Sequence, residues 1–266
     1  MRKYLDTAVD AAHTAAEFIL ANRGTLLASE IDKKQAFDFV TRVDRESEKI
    51  ILDKLHAAFP GHSFLAEESR HDSPSDGYRW IIDPLDGTTN YIHGFPVTGV
   101  SIALQHGPDM IAGVVFDIFR NELFTAIKGE GAFLNRQRIH VSATGEMGGA
   151  LIGTGFPFKQ KGLIDHYLRL FKNVLVEVSD LRRPGVASLD LSYVACGRLD
   201  GFFEIGLMPW DCAAGALMIK EAGGIITNFG GGDEILTHGN IVAGNPQMHA
   251  RLLKMTKEVF AGTLDE

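Results

Sequence analysis

The chain has 266 residues, 45% of them hydrophobic, with a mean hydropathy of +0.02 and a formal charge of −8. That balance predicts a soluble globular protein with a substantial core, as one large domain or two small ones. The acidity argues against direct nucleic-acid binding and against anionic membranes, and no run reaches the ~18 apolar residues of a membrane span.

Met1 to Asp10 alternates charged and apolar residues without a signal-peptide core, so a cytoplasmic location is expected. Residues 2–23 carry apolar side chains at helical spacing and end at Gly24. Leu26 to Phe37, with Lys33 and Lys34 at its centre, reads as a loop or a loose hairpin. A second helix is predicted over 44–58, stopped by Phe59-Pro60-Gly61. Ser63 to Ala66 is a short strand leading to Glu67 and Glu68, and 69–77 is a polar surface loop. Strands follow at 79–82, 97–105, 111–116 and 122–127, then a short hairpin of 133–135 with 139–141. From Ala150 onward strands (150–154, 174–181, 200–205, 224–227, 240–243) alternate with helices (163–173, 187–197, 211–222, 246–260). The expected class is therefore mixed, α+β or α/β. A single unit is expected, with an N-terminal half of about 1–145 and a C-terminal half of about 146–266. Cys196 and Cys212 form no CxxC and sit in apolar helical contexts, which suits buried thiols.

The stretch Trp80 to Asn90 carries the chemistry. Its strand should stop at Asp83, because Pro84 cannot donate to a ladder. Asp83 and Asp86 then fall within one turn, ahead of the amides of Gly87, Thr88 and Thr89, which could receive an anion. Like charges that close repel, so a cation or raised pKa values must accommodate them. Oxygen donors suit Mg²⁺ shared with a substrate phosphate. The ten histidines make no HxH or HxxxH pair, so zinc is not expected. Taken singly, other acids have ordinary explanations. Asp211 reads as an N-cap, Thr41 with Asp44 as a capping box, and Glu67 with Glu68 as a solvated strand end. Lys33-Lys34 and Arg182-Arg183 read as solvated faces that could also meet phosphate. No P-loop, GxGxxG or GxSxG is present.

Four ordered blocks carry a resemblance: Asp38 to Asp44, Ala66 to Ser69, Trp80 to Pro96, and Pro209 to Ala216 with Glu221 to Gly224. Together they resemble the inositol monophosphatase family of Mg²⁺-dependent, lithium-sensitive phosphatases. Gly197 to Gly206 is similar to the bacterial branch, whereas Ala66 stands where that family more often has glycine. The resemblance implies a layered α-β-α-β-α sandwich, assembled as a homodimer. It also implies metal ligands: Glu67, Asp83 and the Leu85 carbonyl for one Mg²⁺, Asp83, Asp86 and Asp211 for a second, with Glu67 reaching a third. Thr88 and Asp44, with Thr41 beside them, would direct the attacking water, and the Gly87 and Thr88 amides would hold phosphate.

Asp86, Ala187, Ser188, Glu204 and Asp211 stand at positions similar to the substrate-binding ones of the family. An acidic Glu204 would accept bonds from inositol or sugar hydroxyls and repel a second phosphate. The implied reaction is hydrolysis of inositol 1-phosphate, or a similar small phosphate monoester, by metal-activated water. Fructose 1,6-bisphosphate, nucleotide bisphosphates and histidinol phosphate are the alternatives. Because some bacterial relatives are reported in transcription or ribosomal-RNA complexes, a protein partner of that kind is a further alternative.

Overall fold

The alanines of the first helix decide how closely its neighbours can approach. In this computed structural model, α1 (Arg2–Ala21) turns Leu5, Ala8, Ala11, Ala12, Ala15, Ala16 and Ile19 inward. That small-residue stripe lets α2 (Arg42–Ala58) lie against it. The structure describes residues 1–35, 38–69 and 77–264, and of 34, 35 and 38 the backbone alone. Between the helices β1 (Ile31–Gln35) and β2 (Asp38–Thr41) pair antiparallel, with Ile31 opposite Thr41. The hairpin form of the predicted loop is thus the one adopted. Phe37 and most of the predicted loop at 69–77 lie outside the described residues.

Seven strands form the first sheet in sequence order: β3 (Ser63–Ala66), β4 (Tyr78–Asp86), β5 (Gly99–His106), β6 (Asp109–Asp117), β7 (Glu122–Ile127), β8 (Gly131–Leu134) and β9 (Gln137–Arg138). Only the β3–β4 pair is parallel. The short helix α3 (Thr88–Ile92) follows β4. Two expectations need correcting here. β4 does not end at Asp83 but continues to Asp86, because the ladder to β5 jumps from Asp83↔Ser101 to Asp86↔Gly99. Pro84 sits inside that bulge, where its missing N–H is not needed. The hairpin strand predicted at 139–141 is replaced by Gln137–Arg138. The Val141 N–H turns away to bond Ala222 O at 3.1 Å.

The second sheet has the order β11-β10-β12-β14-β13. Its strands are β10 (Leu151–Thr154), β11 (Asp180–Arg182), β12 (Gly201–Glu204), β13 (Ile225–Asn228) and β14 (Ile241–Gly244). β10, β11 and β12 run parallel, so their carboxyl ends face the same way. The helices of this half are α4 (Ile164–Leu175), α5 (Ala187–Ala195), α6 (Pro209–Glu221), α7 (Ile235–His238) and α8 (Pro246–Phe260). The predicted strand 174–181 shrinks to three residues. Leu170 and Val174 remain one turn apart on the buried face of α4, and that packing outweighs the β-branched run.

The layers follow from which faces are apolar. α1 and α2 cover one face of the seven-stranded sheet. α5 and α6 fill the space between the two sheets and are buried almost all round. α4 and α8 close the far face of the second sheet. This is the α-β-α-β-α sandwich.

Candidate active site

Four carboxylates reach one cleft from three places in the chain. Glu67 follows β3, Asp83 and Asp86 flank the bulge of β4, and Asp211 lies in the first turn of α6. With Leu85, Gly87 and Thr88 they line a cavity of about 470 Å³, which also takes Ala187, Glu204 and Arg183 from the second half. Asp211 is not the N-cap. Pro209 opens the helix, and the Asp211 carboxylate accepts the Met208 N–H at 2.7 Å from the third helical position.

Their surroundings hold them together at an electrostatic cost. Burial pushes Asp83 well above the ordinary carboxylate range, and Glu67, Asp86 and Asp211 push it further. Asp211 is raised by burial and then by Asp86 and Glu67. Asp86 is raised to about 6 by burial, opposed by the hydrogen bond it accepts from Ser188 N–H at 2.8 Å. Clustered oxygen-only donors of this kind, one buried and three partly buried, match a hard divalent cation. Among the described residues no three acids, histidines or cysteines already stand at ligand spacing around one point. The acids form a shared basin that an ion would draw tighter.

A second arrangement adjoins the basin. The Thr88 hydroxyl donates to Asp44 Oδ1 at 2.7 Å and lies 3.3 Å from the Leu85 carbonyl oxygen. Asp44 Oδ2 accepts from both the N–H and the hydroxyl of Thr41, at 2.9 and 2.5 Å. Thr41 Oγ1 in turn accepts the N–H groups of Val43 and Asp44 at 3.1 and 3.4 Å. The capping box is therefore real, and the same carboxylate also holds Thr88. Burial raises Asp44 above its usual value. Gly87 takes a left-handed φ of +94°, and a Cβ there would come within 2.7 Å of Val186, so glycine suits this corner.

Of the residues expected to bind substrate, Asp86, Gly87, Thr88, Ala187, Glu204 and Asp211 line the cavity, whereas Ser188 does not. Ser188 is buried behind it, its N–H fixing Asp86. Glu204 ends β12, its carboxyl packed where a Cβ on Gly155 would fall. Burial raises Glu204 to about 8, with Arg183 opposing, so near neutrality it is mostly uncharged. The repulsion of a second phosphate expected from an acidic Glu204 is correspondingly weak. Lys33 is exposed, the side chain of Lys34 is outside the described atoms, and Arg182 pairs with Asp180 at 2.5 Å. Arg183 alone of those basic pairs is a described cavity residue.

Comparison with known proteins agrees with the four blocks. A model of the inositol monophosphatase family matches residues 1–260. The chain belongs to the inositol monophosphatase family. Nus factor SuhB of Escherichia coli (strain K12) is 44% identical over 265 residues, covering 99% of both chains. The crystal structure of extragenic suppressor protein suhB from Bartonella henselae is 42% identical with a TM-score of 0.93, over 96% of this chain and 99% of that one. The inositol monophosphatase from Anabaena (Nostoc) sp. PCC 7120 is 36% identical with a TM-score of 0.86, over 97% of this chain and 96% of that one.

Inside this inositol monophosphatase fold, several supporting residues escaped the sequence reading. Glu48, buried on α2, accepts the Glu68 N–H at 2.7 Å and so anchors the backbone next to Glu67. Ser47 donates to Pro84 O at 3.2 Å, inside the bulge. Ser101 donates to Trp210 O at 3.1 Å, immediately before Asp211. Asn90 donates to Val97 O and Pro184 O at 2.9 and 3.0 Å and ties the two halves together. One signal was available for the first two: Ser47 and Glu48 follow Asp44 at helical spacing, on a face that is otherwise apolar.

Proposed function

We propose that the chain is a Mg²⁺-dependent phosphate monoesterase, with inositol 1-phosphate as its reference substrate. The observation that carries this reading is the basin of four clustered carboxylates, Asp83 buried and Glu67, Asp86 and Asp211 partly buried, beside the Thr88–Asp44–Thr41 chain. Glu67, Asp83, Asp86, Asp211 and the Leu85 carbonyl would hold two Mg²⁺, with a third reached through Glu67. When bound, Mg²⁺ supplies the positive charge that favours hydroxide over water and stabilises a departing alkoxide.

The protein's own groups do the positioning. Because the Thr88 proton is given to Asp44, the Thr88 oxygen faces the basin as an acceptor and orients the attacking water. Thr41 holds Asp44 from the other side, which keeps that direction fixed. The N–H groups of Gly87 and Thr88 would receive phosphate oxygens, and Ala187, Glu204 and Asp86 would meet the polyol hydroxyls. Water-orienting groups held from behind by the buried Asp44 and Thr41 suit in-line displacement without a covalent intermediate. We further propose that the two halves work as one unit, that the protein is a cytoplasmic homodimer, and that lithium inhibits it. Among the described residues no helix is long and apolar enough to cross a membrane.

Phosphate release from inositol 1-phosphate should depend wholly on Mg²⁺ and stop with EDTA. Turnover that persists in excess chelator would overturn the reading.

A second role is favoured by one observation, the 44% identity with a relative named Nus factor SuhB. We propose a transcription-complex protein partner in addition to catalysis. An affinity-tagged chain should co-purify with transcription-elongation proteins whether or not Asp83 is replaced. A tagged chain that recovers none of them counts against the role.

A further inference from the structure

One row of the first sheet runs under α5. Asp86 of β4 pairs with Gly99 of β5, and Gly99 pairs with Asp117 of β6, so the two acids stand in line with a glycine between them. Residues directly opposite on neighbouring strands share a face, and two strand spacings set the acids about 9.6 Å apart. Both carboxylates meet α5. Asp86 accepts the Ser188 N–H at 2.8 Å at the start of the helix, and Asp117 accepts the Tyr193 hydroxyl proton near its end. Five residues of helix rise about 7.5 Å, close to the span between the acids. Gly99 leaves the space in which α5 lies, since a Cβ there would stand 3.3 Å from Leu189 and 3.4 Å from Ser188 Oγ.

The Tyr193 end is a closed triangle of polar groups. Asp117 is fully buried, and it accepts the Arg120 N–H on Oδ1 at 3.1 Å and Arg120 Nη1 on Oδ2 at 3.2 Å. The same Nη1 donates to the Tyr193 oxygen at 3.0 Å, while that oxygen gives its proton to Asp117 Oδ2. Burial, then the bond to Asp117 and its charge, push the Tyr193 phenol above its ordinary range, so it stays a donor. The Tyr193 ring meets Phe124 edge-on, 6.1 Å between centres, and the Arg198 guanidinium lies 5.4 Å from the ring centre. Arg198 is in turn held by Glu122 of β7. None of these six residues lines the cavity, and they tie the turn after β6 to the end of α5.

We infer that Tyr193 and Asp117 form a clamp that positions α5 and, through the Ser188 N–H, sets where the Asp86 carboxylate stands in the basin. The inference rests on the phosphatase reading and deepens it by adding positioning residues outside the cavity. A nine-residue helix tied at both ends to one row of the sheet can slide along that row only by lengthening one of the two carboxylate bonds. With the Tyr193 end released, α5 is free to shift, and the shift is felt at Asp86 and at Ala187, the first residue of the helix and part of the cavity wall. A misplacement of about 1 Å costs about a hundredfold at a reacting centre. A smaller shift of one wall should weaken binding more than turnover.

Tyr193→Phe removes the bond and keeps the ring. Assayed on the full chain with Mg²⁺ and inositol 1-phosphate, it should raise KM about fivefold and leave kcat within about twofold. Calorimetric titration of Mg²⁺ into the metal-free variant should show about fivefold weaker binding, because Asp86 is a proposed ligand. Asp86→Ala leaves Ser188 no carboxylate to hold, so in that background Tyr193→Phe should weaken Mg²⁺ binding by less than about twofold further. The Arg120 side chain is 47% exposed, and Arg120→Leu keeps the test open if Tyr193→Phe folds poorly, with KM raised about twofold. A lower melting temperature with KM and Mg²⁺ affinity unchanged, or a loss confined to kcat, would make the clamp a stabilising contact only and would overturn the inference. A full fivefold weakening in the Asp86→Ala background would do the same. Absence of Mg²⁺-dependent turnover in the wild type would instead remove the phosphatase reading, and the inference with it.

Discussion

Asp83→Asn should lower Mg²⁺-dependent phosphate release by about a thousandfold or more and, in the same preparation, raise the melting temperature of the metal-free protein. Both effects come from one carboxylate. Asp83 is buried among Glu67, Asp86 and Asp211, so with no cation present its charge opposes folding. The asparagine oxygen can still accept the Leu85 N–H that Asp83 Oδ1 accepts at 3.0 Å, so the turn is kept while the charge goes. With the charge goes a donor that two metal positions would share, and electrostatic stabilisation of the reacting groups is usually the largest catalytic term. Activity assays and thermal melts in EDTA read the two halves separately. An asparagine variant that is less stable without metal, or one that keeps more than about a tenth of the activity, would show that this carboxylate is not the centre of the site.

Metal-free protein should be most stable near pH 5 and lose stability steadily toward pH 8. Glu204 moves from an ordinary 4.5 to about 8 in the folded state, and Asp86 from 3.8 to about 6. A carboxyl whose folded pKa is raised contributes stability that is present below its unfolded pKa and is lost as pH rises through the folded one. The loss therefore runs from about pH 4.5 to about 8 for Glu204 and from about 3.8 to about 6 for Asp86. Together it amounts to roughly 4 kcal/mol between pH 5 and 8, or roughly 10 °C in Tm. Glu30, Glu122 and Asp180 are shifted the other way, by backbone and arginine partners. Their contribution disappears only in acid, which closes the optimum from below. Mg²⁺ competes with protons for the basin, so it should raise Tm more at pH 8 than at pH 5. Melts across this range in EDTA and in Mg²⁺ check the signs. A metal-free Tm that is flat or rises with pH contradicts the account.

How much of this was visible in the sequence depends on how local the cause was. Strands such as Glu122–Ile127 and helices such as Pro246–Phe260 carry their own periodicity and caps, and both were read to the residue. The end of α4 was misread because the helix is prolonged by burial of Val174, which a local window cannot register. α5 and α6 show no amphipathic face because sheets cover them on both sides, so their inward direction had no sequence signature. In the site, the acids were legible as blocks, but each alone had an ordinary explanation. Thr41 and Asp44 illustrate why neither explanation excluded the other: the capping geometry is what delivers Asp44 to Thr88. Ser47, Glu48 and Ser101 were not legible, since each acts on a backbone group 20 to 109 residues away. The charge of Glu204 was misjudged for a similar reason, because its burial depends on the Gly155 backbone lying against it.

The bulge in β4 has a meaning in terms of parity. Side chains along a strand alternate faces, so two residues three apart point in opposite directions. Asp83 and Asp86 are three apart, yet their partners Ser101 and Gly99 are two apart and share a face. The chain spends one unpaired step between them, and that step turns an odd separation into an even one. Were the same residues paired regularly, without that bulge, one of the two carboxylates would go to the other side of the sheet, toward the α1–α2 layer. The site thus depends on a count of residues as much as on their identities, and the proline keeps the count by occupying a step that regular pairing would refuse.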